Sequence, residues 1–356
     1  MNMFKLNEIL ERIYAVELPD PEDLEYVLSL QEREELNHLF SFADKVRKEH
    51  CGDGIVLRGI IEFSSFCFRE CFYCGLNKNN HRLERYRMNK DELLKAVEYL
   101  SSCNIKTVVL QSGEDQGLEV LWLKDIIENI KLRFDLAVTL SVGEKSTQDY
   151  SVWKQAGADR YLLKIETSDK DLYSSMHPQM DFNQRLNCLS VLGKLGYQVG
   201  TGNIIGLPGQ RLKNIVKDII FFKQGDFDMV GIGPFIPHVH TFFAANAKGD
   251  ALLTLKTIAL TRIVTRNAHI PATTALGSLD KDYRLDGLKC GANVLMPNFT
   301  PQPFRKLYEI YPDKRCVDEL VGAGNFCFDG VAESLGRFID YSKAHSLKQK
   351  EEISHV

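Results

Sequence analysis

The sequence predicts an α/β fold, most simply a complete (β/α)8 TIM-type barrel preceded by an N-terminal helical extension. Three observations point there. From residue 55 onward, eight short apolar runs alternate with longer amphipathic stretches, which is the pattern of parallel strands joined by helices. The polar, Gly-rich and Pro-rich segments collect at the C-terminal ends of those runs, where a barrel carries its functional loops. Residues 1 to about 50 have a different texture, with helical spacing only. An open doubly wound sheet is the alternative that the same alternation allows.

In chain order, "FKLNEILERIY" repeats apolar residues at helical spacing, and "DPEDLEYVLSL" opens on Asp20 as N-cap followed by Pro21 at the first helical position. The predicted strands cover 56–64, 107–112, 136–141, 160–166, 198–205, 229–233, 270–275 and 292–296. Helical stretches between them include "KDELLKAVEYL", "LWLKDIIENIKL" and "LKNIVKDIIFFKQ". This divides the chain into a helical extension (1–54), the barrel (55–312) and a C-terminal helical segment and tail (313–356). The last stretch, "KAHSLKQKEEISHV", is polar and expected to fray.

Composition narrows the function classes. With 44 basic and 48 acidic residues the net charge is −4, so no basic stripe for nucleic acid is expected. The N-terminal stretch is interrupted by acidic residues and lacks a secretory h-region, and no later run is long enough for a membrane span, so a cytoplasmic location is expected. Nine cysteines in such a chain suggest metal binding or catalysis where they cluster and simple burial where they do not. Cys51, Cys103, Cys188 and Cys290 stand alone and read as core or surface thiols.

The cluster is "FCFRECFYCGL", with Cys67, Cys71 and Cys74 spaced C-x3-C-x2-C after the first strand. A disulfide would leave one thiol over. Zinc would want a fourth ligand, for which His81 is the nearest candidate, but zinc fingers pair C-x2-C motifs. Three thiolates on a 4Fe–4S cluster leave one iron open, which suits chelation of S-adenosylmethionine (SAM) by its amino and carboxylate groups. That reading fits the spacing best. SAM then needs a cation for its carboxylate, an acceptor for its amine and acceptors for its ribose. Arg185 in "NQRLNCL" offers a bidentate fork, and Glu114 in "SGED" an acceptor for the ammonium. Glu166 ends an apolar strand where an unpaired carboxylate would be costly. Gly202, Gly206 and Gly209 lack the G-x-G-x-x-G spacing of a dinucleotide fold, but let backbone approach a ligand or make a tight turn.

Between residues 55 and 312, the blocks "CFYCGL", "RYRM", "LQSGED", "GADRYLL", "RLNCL", "GLPGQ", "DFDMVGIGPFIPH", "IPATTA" and "CGANVLMPN" resemble the radical SAM enzymes of the HydE family. These mature FeFe-hydrogenase and are related to biotin synthase and methylornithine synthase. The resemblance implies that Cys67, Cys71 and Cys74 ligate the cluster, Arg185 pairs with the SAM carboxylate and Glu166 takes the ribose hydroxyls. It also implies that Arg160, Met229, Thr273, Thr274, Met296 and Tyr308 line a substrate cavity. The implied substrate is a cysteine-bound iron carbonyl–cyanide unit made by the maturase HydG. The implied product goes to the scaffold HydF, and an external flavodoxin or ferredoxin supplies the electron.

Departures from the family pattern are Lys164 and Ile165 before Glu166 and Thr167, and "HTFFAAN" beside His238 and His240. They leave open a HydE-like paralogue acting on another sulfur-containing or amino-acid substrate. Some members carry a second cluster on three C-terminal cysteines. Here Cys316 and Cys327 hold the outer positions and Gly324 the middle one, so a single cluster is expected.

Overall fold

The computed structural model describes residues 3–315 and 328–348. The extension forms three helices, Met3–Ala15, Pro21–Ser29 and Arg33–Cys51. Asp20 caps the second as its sequence demands, its carboxylate accepting from the Glu22 amide at 2.9 Å. The extension packs against the helix Ala251–Thr265. There the buried Lys256 ammonium donates to the carbonyls of Leu28 (2.5 Å) and Leu30 (2.8 Å).

Nine strands follow among the described residues: β1 (Gly54–Leu57), β2 (Gly59–Ser64), β3 (Thr107–Ser112), β4 (Ala137–Ser141), β5 (Arg160–Leu162), β6 (Gln198–Ile205), β7 (Met229–Pro234), β8 (Val294–Leu295) and β9 (Phe338–Asp340). Strands β2 to β7 lie side by side in one six-stranded parallel sheet, and β8–β1–β9 form a second. Single parallel bridges, Met229 with His269, Pro271 with Val294 and Ile60 with Asn298, link the two sets. The strands are buried on both faces, as expected where helices cover a parallel sheet. Among the described residues, no helix is long and apolar enough to cross a membrane.

Four expectations need correction. The run 56–64 is two strands, because the chain changes partners at Arg58: β1 pairs with β8 and β9, β2 with β3. Gly59 lets the chain pass close to the helix Lys90–Ser102 at this step, since a Cβ there would crowd the end of the Leu100 side chain at 2.4 Å and the Phe299 ring at 2.9 Å. The run 160–166 pairs continuously only to Leu162 and resumes as a single bridge between Glu166 and Asn203. The run 270–275 makes no ladder, for two reasons. Pro271 has no amide to give, and the Ile270 amide is taken by the side chain of Asn293 at 2.9 Å. The chain then turns into a short helix, Thr274–Gly277. Finally, the start of the C-terminal stretch is anchored rather than frayed: Lys343 and Ala344 carbonyls accept from Arg160, and the Ser346 amide donates to Gln198 at 2.9 Å. Cys316, Gly324 and Cys327 lie outside the described residues.

Candidate active site

At the C-terminal ends of the strands lies a cavity of about 380 Å3. Strand β2 leads into it through a register shift between Glu62 and Ser64, a bulge that re-aims the chain into the cysteine loop. The loop is pinned at several points. The Arg85 guanidinium donates to the carbonyls of Ser65, Leu76 and Asn77 at 2.6, 3.0 and 2.7 Å. The Phe68 amide donates to the Glu114 carbonyl, and the Gly75 amide to that of Ile310. Gly113 must be glycine, because a Cβ would stand 2.3 Å from the Phe66 carbonyl and 2.8 Å from the Cys67 Cβ. The "SGED" segment therefore serves as the seat on which the loop rests.

Cys67, Cys71 and Cys74 are free thiols, and all three line the cavity. Burial raises all three, Cys74 to about 12 and Cys71 well above its usual value, with neighbouring thiols adding to the effect at Cys71 and Cys74. Thiolates here need a strongly positive partner. Among the described residues, no three His, Cys, Asp or Glu side chains converge on a single-ion position. Three half-buried free thiols around one chamber fit an iron–sulfur cluster, whose thiolates each hold a different iron. Tyr73, between the last two cysteines, donates to His177 Nε2 at 2.8 Å. His177 Nδ1 lies 2.9 Å from the Tyr173 carbonyl and so carries the ring proton. Burial lowers this histidine to about 3, which keeps it neutral.

Next to the thiols, two arginines and two carboxylates interlock. Arg69 meets Glu114 at 2.6 Å and Glu144 at 2.9 Å, while Arg185 meets Glu114 at 3.2 Å and Glu144 at 2.8 Å. Burial works against charge on Arg185, yet Glu114 and Glu144 hold its pKa above normal. Gly143, at φ +78°, makes room for this: a Cβ there would fall 1.9 Å from Glu114 Cγ. Glu166 adopts φ +64°, a left-handed conformation costly for a glutamate, and its carboxylate faces the cavity. Its Oε2 lies 3.0 Å from Lys164 Nζ but has no aligned hydrogen bond, so an acceptor remains available. Beneath it, the buried Asp218 accepts from Ser168, Asn203 and Thr167 and fixes the turn after Glu166.

The structure brings together Cys67, Cys71, Cys74, Glu114, Glu166, Arg185, Met229, Thr273, Thr274, Met296 and Tyr308 around this one cavity. It leaves three expected residues out. Gly202 packs on β7, where a Cβ would meet the Gly231 carbonyl at 2.0 Å, and Gly206 (φ +87°) packs on Gly249. Arg160 stands at the opposite, N-terminal end of the strands, held by Lys343, Ala344, Thr107 and Gln198. Of the divergent residues, Lys164 lines the cavity, whereas His238 is buried against Gly75. Sequence reasoning missed Arg69 and Glu144. Arg69 lies inside the cysteine motif itself, and Glu144 follows β4, the strand end from which no candidate was drawn.

Comparison with known proteins agrees with this chemistry. Residues 61–222 match the radical SAM superfamily. The chain is 47% identical over 330 residues to the [FeFe] hydrogenase maturase subunit HydE of Thermotoga maritima, covering 93% of this chain and 94% of that protein. It is 28% identical to the 3-methylornithine synthase of Methanosarcina acetivorans over 77% of this chain and 78% of that protein. Its fold is like that of the crystal structure of the maturase HydG, at a TM-score of 0.81 and 19% identity, covering 97% of this chain and 78% of that one. Methylornithine synthase follows at 0.77 and 23%, covering 93% and 97%. Fold and site define a radical SAM enzyme, a class that uses a 4Fe–4S cluster and SAM. Within that class, the identity across nearly the whole chain is decisive: it belongs to the HydE family.

Proposed function

We propose that this enzyme takes part in assembling the di-iron subsite of FeFe-hydrogenase by reductive cleavage of SAM. The observation that carries the reading is the single cavity shared by three free thiols, a two-arginine, two-carboxylate network and a half-satisfied Glu166. Cys67, Cys71 and Cys74 would hold a 4Fe–4S cluster, whose chemistry when bound would be one-electron reductive cleavage of the SAM sulfonium to methionine and a 5′-deoxyadenosyl radical. Arg185 takes the SAM carboxylate by exchanging one of its carboxylate partners for the ligand's. Glu114 accepts from the ammonium, and Glu166 accepts from the ribose hydroxyls. Deeper in the cavity, Met229, Thr273, Thr274, Met296 and Tyr308 enclose the substrate and exclude water.

The single bridges between the two sheets support a closed (β/α)8 barrel over 55–312, with 1–54 as helical extension and 313–356 as C-terminal segment and tail, of which residues 343–346 lie against the base. On this reading the enzyme works in the cytoplasm, after HydG and before HydF, on a cysteine-bound iron carbonyl–cyanide substrate, with flavodoxin or ferredoxin as electron donor. A second reading, a paralogue acting on a different amino acid, draws on Lys164 in the cavity wall and on the 3-methylornithine synthase likeness.

The test has two stages. Anaerobically reconstituted, reduced protein should convert SAM to methionine and 5′-deoxyadenosine, and failure to do so defeats the radical SAM assignment. Hydrogenase activation from purified maturases should then require this chain. Activation that proceeds equally well without it defeats the maturation role and leaves the second reading.

A further inference from the structure

The cavity contains a second charged group, well separated in sequence from the network that faces SAM. Glu62 on β2 is 2% exposed and Lys314 6% exposed, and the two form an ion pair in the cavity wall. The second Glu62 oxygen accepts from Asn298 at 3.0 Å, and the Lys314 ammonium stands 5.0 Å from the centre of the Tyr308 ring. Glu62 pairs in register with Gln111 on β3, and Gln111 with Ser141 on β4, and all three line the cavity. Gln111 donates to the Tyr308 hydroxyl at 3.3 Å. On the far wall, the row Leu162, Gly200 and Met229 is apolar.

A buried ion pair is weak evidence for stability, since an apolar pair of equal volume is commonly as good or better. Here the pair also ties Lys314 to β2 and to the Tyr308 carbonyl at 3.5 Å, but both charges border open volume, and the row that starts at Glu62 continues with the neutral polar Gln111 and Ser141. Such a pair presents one cation and one anion at hydrogen-bonding distance. A zwitterion of α-amino-acid geometry is complementary to that arrangement, with its carboxylate on Lys314 and its ammonium on Glu62, while its side chain lies against Leu162 and Met229.

We propose that Glu62 and Lys314 are specificity-determining residues that hold the α-amino-acid end of the substrate. The proposal rests on the functional reading above. It predicts discrimination by charge, with S-methyl-L-cysteine as probe, and 3-(methylthio)propionate and 2-(methylthio)ethylamine as analogues lacking the ammonium and the carboxylate. Binding to the reconstituted enzyme, followed by calorimetry in the presence of SAM, should be at least about tenfold tighter for the zwitterion than for either analogue. Lys314→Met should lose most of that preference. Because Lys314→Met leaves Glu62 buried and unpaired, the double variant Glu62→Gln, Lys314→Met serves as the partner test. Its iron content and its melting curve without probe report folding, and it should bind the three probes about equally. Equal binding of the three probes by the wild type, or a zwitterion preference that survives in the folded double variant, overturns the proposal. If wild-type protein cleaves SAM but shows no zwitterion preference, this assignment fails alone. If it does not cleave SAM, the functional reading itself fails.

Discussion

Arginines at the two ends of the strands, all buried but the half-buried Arg69, are held by different kinds of partner. At the N-terminal end, Arg160 donates to the carbonyls of Lys343 and Ala344 and to Thr107 and Gln198, and Arg337 to the carbonyls of Leu288, Ala292 and Gly54. Burial pulls Arg160 and Arg337 each down to about 10. At the C-terminal end, Arg69 and Arg185 are met by the carboxylates of Glu114 and Glu144. A carbonyl is fixed in the backbone and neutral, so the basal arginines act as rivets: Arg160 holds Lys343 and Ala344 under the strands, and Arg337 ties the chain just before β9 to Gly54, Leu288 and Ala292. A carboxylate carries charge on a side chain that can shift, so the arginines at the mouth can trade a partner for a ligand carboxylate at little net electrostatic cost. Arginines that look alike in the sequence thus do structural work at one end and, in the function proposed here, binding work at the other.

The largest expected effect lies at the mouth. Cys67→Ala, Cys71→Ala and Cys74→Ala should each abolish 5′-deoxyadenosine formation and lose the iron–sulfur absorbance, because two thiolates are too few to hold the cluster in a reactive state. Any one of them retaining full SAM cleavage would remove the cysteines from the site.

A smaller effect concerns Asp218, which supports the turn after Glu166. Burial raises its carboxyl to about 6, despite the hydrogen bonds it receives from Ser168, Asn203 and Thr167. In the unfolded chain it would ionise near 4. Below that pH both states are protonated and its contribution is complete. As pH rises through about 6, the folded state must accept a buried charge and that contribution is lost, by roughly 1–3 kcal/mol. Asp218→Asn should therefore melt at a higher temperature relative to wild type at pH 7.5 than at pH 4.5. A difference that does not change between these pH values would show that Asp218 stays ionised throughout.

The smallest expected effect is none at all. Replacing Cys316 and Cys327 with serine should leave iron per chain and SAM cleavage unchanged, since two thiolates with Gly324 between them fall short of a cluster's ligands. A drop of about half in iron content would reveal a second cluster.

The mouth was more legible in the sequence than the base. The cysteine loop, the "SGED" seat, Glu166 and Arg185 carry their chemistry in residue type and spacing, and the helices from Met3 to Cys51 carry it in apolar period and the Asp20 cap. Strand β9 was invisible because three residues cannot show a period, and its parallel pairing with β1 spans nearly the whole chain. The role of Arg160 was misplaced for a related reason. Its position at the start of β5 put it at the wrong end for the cavity, and the carbonyls that hold it belong to a polar stretch with no pattern of its own. Glu144 was missed because a lone glutamate after a strand looks like any solvated acid until Arg69 and Arg185 are seen on either side of it.

The contrast between the two ends is tested most directly by the SAM affinity of Arg185→Ala and Arg160→Ala, measured by calorimetry on reconstituted protein alongside their melting temperatures. Arg185→Ala should bind SAM more weakly by about 2–5 kcal/mol with its iron–sulfur absorbance intact. Arg160→Ala should melt at a lower temperature and bind SAM as wild type does. SAM affinity within twofold of wild type in Arg185→Ala, or an equal loss of affinity in both variants, would contradict the division of labour between mouth and base.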